Sequence, residues 1–90
     1  MEKLNDYLNS LEVAEQTAFA DRCKTSIGYL RKALSIKQPL NPKVCVRAER
    51  FTGKKVMRWD LRPDDWFEFW PELVGTKGAP ELPQKVAVSA

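Results

Sequence analysis

Residues 16–34 read QTAFADRCKTSIGYLRKAL, and this stretch decides the fold that the sequence predicts. Its first half completes a helix over residues 14–23, in which apolar positions recur at helical spacing and the small Ala20 lets another helix approach closely. The pattern breaks for two residues at Lys24. Ser26 is then a good N-cap for a further helix, whose apolar positions again recur at helical spacing: Ile27, Leu30, Ala33 and Leu34.

Two helices joined by a two-residue turn form a helix-turn-helix unit. In this arrangement the first helix crosses the backbone of DNA while the second enters the major groove. The pattern alone has many false positives, so the rest of the chain decides how much weight it carries.

Helical patterns flank this unit on both sides. The chain begins with a predicted helix whose apolar face consists of Leu4, Tyr7, Leu8 and Leu11. After a loop over residues 35–40, Asn41 supplies a cap and Pro42 the first helical position. The helix that starts there should end near Thr52, with Gly53 as its stop signal. Its outer face is basic, with Lys43, Arg47 and Arg50.

The pattern is less regular beyond this helix. Residues 54–62 fit either a short extended piece or a single helical turn. Pro63 opens a fifth predicted helix, with Asp64 and Asp65 in its first turn, where carboxylates suit the positive end of the helix dipole. Pro71 should break or kink this helix. Its dense apolar stripe consists of Trp66, Phe69, Trp70 and Leu73.

The length of 90 residues suits one domain with a modest core, which excludes a two-domain enzyme. We predict an all-α protein in which residues 1–74 form a compact five-helix domain, with the helix-turn-helix at about residues 16–34. Residues 75–90 are rich in Gly, Pro and small side chains, and we predict a flexible tail there.

The composition excludes several classes of protein. The chain has no His, which removes Ser-His and Cys-His catalysis and every metal site that needs imidazole. Cys23 and Cys45 are too few for a four-thiolate zinc site, and we expect both to be small buried hydrophobes. No apolar run is long enough for a membrane span or a signal peptide. We therefore expect a cytoplasmic protein that is not an enzyme and holds no metal or cofactor.

Charge is distributed unevenly, although the net charge is only +3. Residues 1–20 carry one base and four acids, residues 21–60 carry eleven bases and three acids, and residues 61–90 carry three bases and five acids. A basic middle stretch is expected of a protein that neutralises phosphates. The alternative is a solvated helical surface that keeps the protein soluble, and charge alone does not choose between them.

Four groups of residues carry a resemblance to a known family: Ala18-Phe19-Ala20 with Cys23, Tyr29-Leu30, Arg47-Ala48-Glu49-Arg50 with Thr52-Gly53, and Leu61-Arg62-Pro63-Asp64-Asp65-Trp66 with Trp70-Pro71-Glu72-Leu73. Over about residues 4–73 the chain resembles the Cro/YdaS-like family of phage-type helix-turn-helix regulators, within the lambda repressor-like superfamily. It departs from that family at Lys24, where a turn glycine is common, and at Met57, where a small hydroxyl residue is common. A non-glycine residue in the turn occupies a less comfortable backbone region.

The resemblance implies which residues of the second helix of the unit face DNA: Ser26, Ile27, Gly28, Arg31 and Lys32. Gly28 would permit close approach of the backbone, and Arg31 can donate two hydrogen bonds to one guanine. In the alternative, Arg31 and Lys32 contact only phosphates or water.

Phosphate contacts are expected around this helix. Gln16 and Thr17 start the preceding helix, where side chains and free N–H groups can hold a phosphate, although ordinary capping explains both nearly as well. The other candidates for flanking phosphates are basic: Lys37, Lys43, Arg47, Lys54 and Lys55.

Two interpretations fit the aromatic residues Trp59, Trp66, Phe69 and Trp70. They pack onto the first and fourth helices as core, or they form a homodimer interface, where Trp and Phe are enriched. A two-fold dimer would bind half-sites about 34 Å apart, one turn of DNA.

We therefore expect a sequence-specific regulator that binds a double-stranded DNA operator and represses prophage or mobile-element genes. Such a protein would lie in the bacterial cytoplasm, associated with the nucleoid when bound to DNA. The alternative that the resemblance suggests is an antitoxin, whose tail over residues 75–90 would fold on a protein toxin.

Overall fold

Helices form where a capping residue precedes an apolar face of helical spacing. The structure is a computed structural model that describes residues 1–82. Its helices are α1 (Glu2–Asn9), α2 (Val13–Arg22), α3 (Ile27–Ile36), α4 (Pro42–Phe51), α5 (Arg58–Leu61) and α6 (Trp66–Phe69), followed by a 3-10 turn at Pro71–Leu73. No strand occurs over residues 1–82, and the all-α prediction is confirmed.

The count of five helices is wrong, because six α-helical segments are found in the described residues. The difference lies in residues 54–62, for which the sequence leaves two conformations open. This segment contains the single helical turn α5. Leu61 at the end of α5 and Val56 just before it are both completely buried, so this segment places one apolar side chain in the core from the helical turn and one from the bend that precedes it.

The sequence predicts that the last α-helix starts at Pro63, but α6 starts three residues later, at Trp66. Arg62 holds the intervening turn: its Nε and Nη2 donate to the two carboxylate oxygens of Asp65 at 2.8 and 2.7 Å, and its Nη1 donates to the carbonyl oxygen of Leu40 at 2.6 Å. The hydrogen bonds that Arg62 donates to the Asp65 carboxylate raise the pKa of Arg62. Asp64 and Asp65 therefore precede α6, and their predicted place in its first turn is wrong.

Two predicted helix starts are confirmed. Ser26 Oγ accepts a hydrogen bond from the Tyr29 N–H at 3.0 Å at the start of α3. At the start of α4, Asn41 Oδ1 accepts from the Lys43 N–H at 2.9 Å, and Pro42 follows the cap directly. Each cap satisfies a backbone donor that the helix itself leaves unpaired.

Three helix ends are closed by lysine in the left-handed region of backbone space. Lys24, Lys37 and Lys54 have φ of 57°, 57° and 68°, a conformation that favours glycine. In the turn between α2 and α3, the Thr25 N–H donates to the carbonyl oxygen of Ala20 at 3.0 Å, as in a Schellman closure. The unfavourable backbone conformation expected for Lys24 is confirmed.

The core is built from the inward faces of the first four helices together with α5 and α6. Ala20 of α2 is completely buried and Leu30 of α3 is 1% exposed, in keeping with the close packing of these two helices. Thr52 is the one buried polar side chain among the described residues. Its hydroxyl accepts from the Val56 N–H at 3.1 Å and donates to the Glu49 carbonyl at 3.3 Å. The buried hydroxyl is therefore hydrogen-bonded both as donor and as acceptor.

The chain leaves the domain through turns. The Thr76 N–H donates to the Leu73 carbonyl at 3.1 Å, and the Ala79 N–H donates to the Thr76 carbonyl at 3.0 Å. The tail predicted over residues 75–90 thus begins as ordered turns, and its last part, residues 83–90, lies outside the described residues. Over residues 1–82, none of the helices combines the length and the apolar character needed to cross a membrane.

Candidate nucleic-acid interface

The helix α3 divides into a buried face and an open face. Leu30 and Ala33 are buried, whereas Gly28, Lys32 and Ser35 are exposed. Residues four apart lie one above the other on a helix, so Gly28 and Lys32 share one open stripe. The α2–turn–α3 unit therefore presents the outer side of α3 to solvent, as a recognition helix must.

The first residues of α3 have structural contacts of their own. Ser26 is the N-cap, so its hydroxyl oxygen already accepts one backbone hydrogen bond. Ile27 is half-buried and packs against the core. Both lie beside the open stripe, and their predicted contact with DNA stays a prediction.

Gly28 has open space on its outer side. A Cβ built at this position would meet only the Ser26 Oγ, at 3.9 Å, within 4 Å. Its φ is not in the left-handed region. The free chain therefore gives no steric or backbone reason for a glycine here, and helix propensity disfavours one by up to about 1 kcal/mol relative to alanine.

Arg31 lies on a different side of α3 from Lys32. Its side chain is half-buried, and its Nη1 donates to the Asn9 Oδ1 at the end of α1 at 3.4 Å. It also lines a groove of about 920 Å³ between the start of α1, the end of α3 and residues 60–64. The two basic residues predicted to face DNA together thus have different surroundings: Lys32 lies on the open stripe, and Arg31 lies about 100° around the helix axis, toward α1.

The helix α2 begins at Val13, so Gln16 and Thr17 lie in its second turn. Their predicted place at the helix start is wrong. The Gln16 Nε2 donates to the carbonyl oxygen of Leu8 at 2.8 Å, which ties α2 to α1, and the Thr17 Oγ1 donates to the Val13 carbonyl at 3.4 Å. Thr17 remains exposed, whereas the Gln16 amide serves the packing of the two helices.

The remaining basic candidates fall into two groups: Lys37, Lys43 and Arg47 follow α3 along the chain, whereas Lys54 and Lys55 lie beyond the end of α4. Lys37 is the C-cap of α3, and Lys43 is exposed in the first turn of α4. The start of α4 is held to α3 because the Asn41 N–H donates to the Tyr29 hydroxyl at 2.9 Å. Arg47 is half-buried and lies near the end of α2: burial raises the pKa of the Cys23 thiol, and the charge of Arg47 offsets part of that rise.

The positive charges of α3 and its flanks form no direct ion pair among the described residues, although Arg31 shares its groove with Glu2, Asp60 and Asp64. From residue 22 to residue 48 the chain contains seven bases and no acid. The ion pairs found over residues 1–82 are Lys3–Asp60, Arg58–Glu49 and Arg62–Asp65, at 3.8, 3.1 and 2.7 Å, and all lie outside that stretch. The turn, α3 and most of α4 therefore carry a net positive charge that is free to attract an anion.

The four aromatic residues of the predicted stripe have different environments. Trp66 is 1% exposed and packs edge-on against Trp59 with ring centroids 5.7 Å apart. Trp70 packs against the core beneath the Arg58 guanidinium, 5.2 Å from its ring. Phe69 is 47% exposed. Trp66 is therefore core, and Phe69 is the most accessible candidate of the four for a dimer contact.

The cysteines are not reactive groups. Both are buried and free, and burial raises the pKa of Cys23 to about 11 and that of Cys45 to about 12. No group of His, Cys, Asp and Glu side chains over residues 1–82 is arranged to hold a metal ion. The interpretation of both cysteines as small buried hydrophobes agrees with this environment.

Sequence reasoning missed two residues at this interface. Asn9 could have been found only from its place opposite Arg31, 22 residues away. Ile36 is 56% exposed at the end of α3, although its spacing marks it only as the last apolar residue of the helix.

Comparisons of the chain with protein-family models and with curated proteins find no match.

Proposed function

We propose that this protein is a sequence-specific double-stranded DNA-binding regulator of transcription that uses α3 as its recognition helix. The observation that carries the proposal is the open face of α3 within a stretch of seven bases and no acid, residues 22–48. A helix enters the major groove only when its outer face is free and the flanking surface attracts phosphate. Both conditions are met around α3.

The turn before α3 and the loop after it supply the flanking charge. Lys24 and Lys37 stand at the ends of α2 and α3, and Lys43 stands in the first turn of α4. In a recognition complex such residues contact phosphates and set the register of the protein, while the helix reads the bases. Repression of the genes of a prophage or mobile element is the regulation that the family resemblance favours.

Dimerisation belongs to the same proposal. Phe69 offers an exposed aromatic ring, and a two-fold dimer built on that part of the chain would bind half-sites about 34 Å apart. Equilibrium sedimentation with and without a palindromic duplex tests this clause. A monomer with a non-palindromic footprint at saturation would rule it out.

The proposal is tested by selecting duplexes from a random 30-base-pair pool and comparing the selected duplex with a shuffled one of equal composition. We expect tighter binding to the selected duplex at physiological salt. Lys43→Ala should weaken binding to both duplexes and lower the slope of log affinity against log salt by about 1. Lys77→Ala removes an equally exposed base outside the stretch and is the matched control, with unchanged binding.

Equal binding of the two duplexes that collapses with salt would contradict the proposal. The basic stretch would then act as a nonspecific electrostatic surface. A protein partner, such as the toxin that the resemblance allows, would become the better hypothesis.

A further inference from the structure

We infer that Lys32 is the base-reading side chain of α3, that its target is guanine, and that Arg31 is a positioning residue that fixes α3 against α1. The inference rests on the proposed function and deepens it, because it names the base and the residue that reads it. The resemblance alone assigns the guanine contact to Arg31, and the structure separates the two side chains.

The open stripe of α3 favours Lys32. Lys32 is exposed, and among the described residues no carboxylate pairs with it. Side chains of a helix lean toward its N-terminus and cover the preceding turn, and the residue one turn before Lys32 is Gly28, which has no side chain to compete for that space. The position is open, because an added Cβ would meet only the Ser26 Oγ at 3.9 Å. An extended Lys32 can therefore bring its ammonium to the first turns of α3, the part of a recognition helix that meets base edges.

The surroundings of Arg31 favour a positioning role. Consecutive helical residues are rotated by about 100°, so Arg31 and Lys32 cannot both face one groove squarely. Arg31 is half-buried, and its Nη1 donates to Asn9 Oδ1 at 3.4 Å. Asn9 is the last residue of α1, so this hydrogen bond joins the end of one helix to the middle of another. The bond is long and solvent-exposed, so on this inference it orients α3 toward DNA and contributes little to holding the fold together.

The chemistry of Lys32 selects the base. A lysine ammonium has three donors and no acceptor. In the major groove guanine offers two adjacent acceptors, O6 and N7, whereas adenine pairs its one acceptor with a donor. An exposed lysine on the open stripe therefore fits a guanine edge. One such contact is expected to discriminate by roughly 5- to 150-fold against another base pair.

The experiment measures affinities of the full chain for the selected duplex and for every single base-pair change in it. We expect one G·C pair whose replacement weakens the wild-type protein by at least about 5-fold. Lys32→Met keeps the aliphatic stem and removes the donors, and it should abolish the preference at that pair alone. Arg31→Ala should weaken binding to all duplexes alike and leave every base preference unchanged, at an unchanged Tm.

Asn9→Ala tests the positioning contact from its other side. It should reproduce the uniform loss of Arg31→Ala, and the double variant should bind no more weakly than either single one, because both remove the same hydrogen bond. Loss of preference at a single base pair in Arg31→Ala would overturn the inference. A uniform loss in Lys32→Met with preferences intact would overturn it as well. A wild-type protein with no base preference at all would instead refute the proposed function, and the inference with it.

Discussion

Replacement of Gly28 by alanine should make the protein more stable and its complex with DNA weaker. In the free chain the added methyl group meets only the Ser26 Oγ at 3.9 Å, which is ordinary contact. Alanine in a helix is favoured over glycine by about 0.5–1 kcal/mol. For a chain of this size that gain corresponds to a rise in Tm of about 2–8 °C, measured by circular dichroism.

In the complex the same methyl group occupies the space that a close approach of α3 to the bases would use. Forcing an extra methyl into a packed interface costs about 1–3 kcal/mol, which is a loss of roughly 5- to 150-fold in affinity for the selected duplex. Gly53→Ala is the matched control, because Gly53 has φ of 63° and alanine there should lower the free energy of unfolding by about 1 kcal/mol. A Gly28→Ala variant that binds DNA as tightly as the wild type would refute the close approach, and a lower Tm would refute the open space.

Three further outcomes follow from helix ends and buried thiols. Lys24→Gly should raise the free energy of unfolding by about 1 kcal/mol, because glycine adopts the left-handed backbone at φ 57° without strain. Lys24→Ala removes the same charge but should give no such gain. Equal Tm values for the two variants would contradict this. Met57→Ser should raise the free energy of unfolding by about 1 kcal/mol. Asp60 Oδ2 already accepts from the Met57 N–H at 2.8 Å, and a serine hydroxyl is a much stronger acceptor for the reciprocal half of this capping box than the weakly accepting Met57 thioether. Urea unfolding measures the change, and a lower midpoint would count against this. Burial raises the pKa of Cys23 to about 11 and of Cys45 to about 12. Both thiols should therefore resist a disulfide reagent at pH 8 until urea unfolds the chain. The free energy of unfolding should fall as pH rises above about 9, because the thiols of the unfolded chain ionise before those of the folded protein. Rapid reaction of the native protein would refute the burial.

The features that the sequence predicts well depend on local chemistry. Ser26 and Asn41 are capping residues that act on the next two or three residues of the chain, and the left-handed turn at Lys24 follows from a pattern break between two helices. Spacing also identifies the buried residues of α3, Leu30 and Ala33. Such features need no knowledge of the rest of the fold.

The features that the sequence predicts badly depend on contacts between distant parts of the chain. Arg62 reaches the carbonyl of Leu40, and Arg31 reaches Asn9, each across 22 residues. The first contact joins the turn before α6 to the loop before α4, and the second joins α3 to the end of α1. A residue-by-residue pattern cannot reveal either contact, because only the packed helices bring the partners within hydrogen-bond distance.

The lysines at the helix ends connect stability with the proposed function. A glycine at Lys24 or Lys37 would adopt φ of 57° without strain, so a chain selected for stability alone would be expected to carry glycine there. Lysine at a helix C-terminus interacts favourably with the dipole, but that gain is smaller than the backbone cost of about 1–3 kcal/mol. Lys24 and Lys37 stand immediately before and after α3, and neither has a carboxylate partner over residues 1–82. Lys54 follows α4 with φ of 68°, so strained lysines are not confined to the ends of α3. What distinguishes Lys24 and Lys37 is that their charges stand on both sides of the helix proposed to bind a polyanion, where a trade of stability for activity is expected.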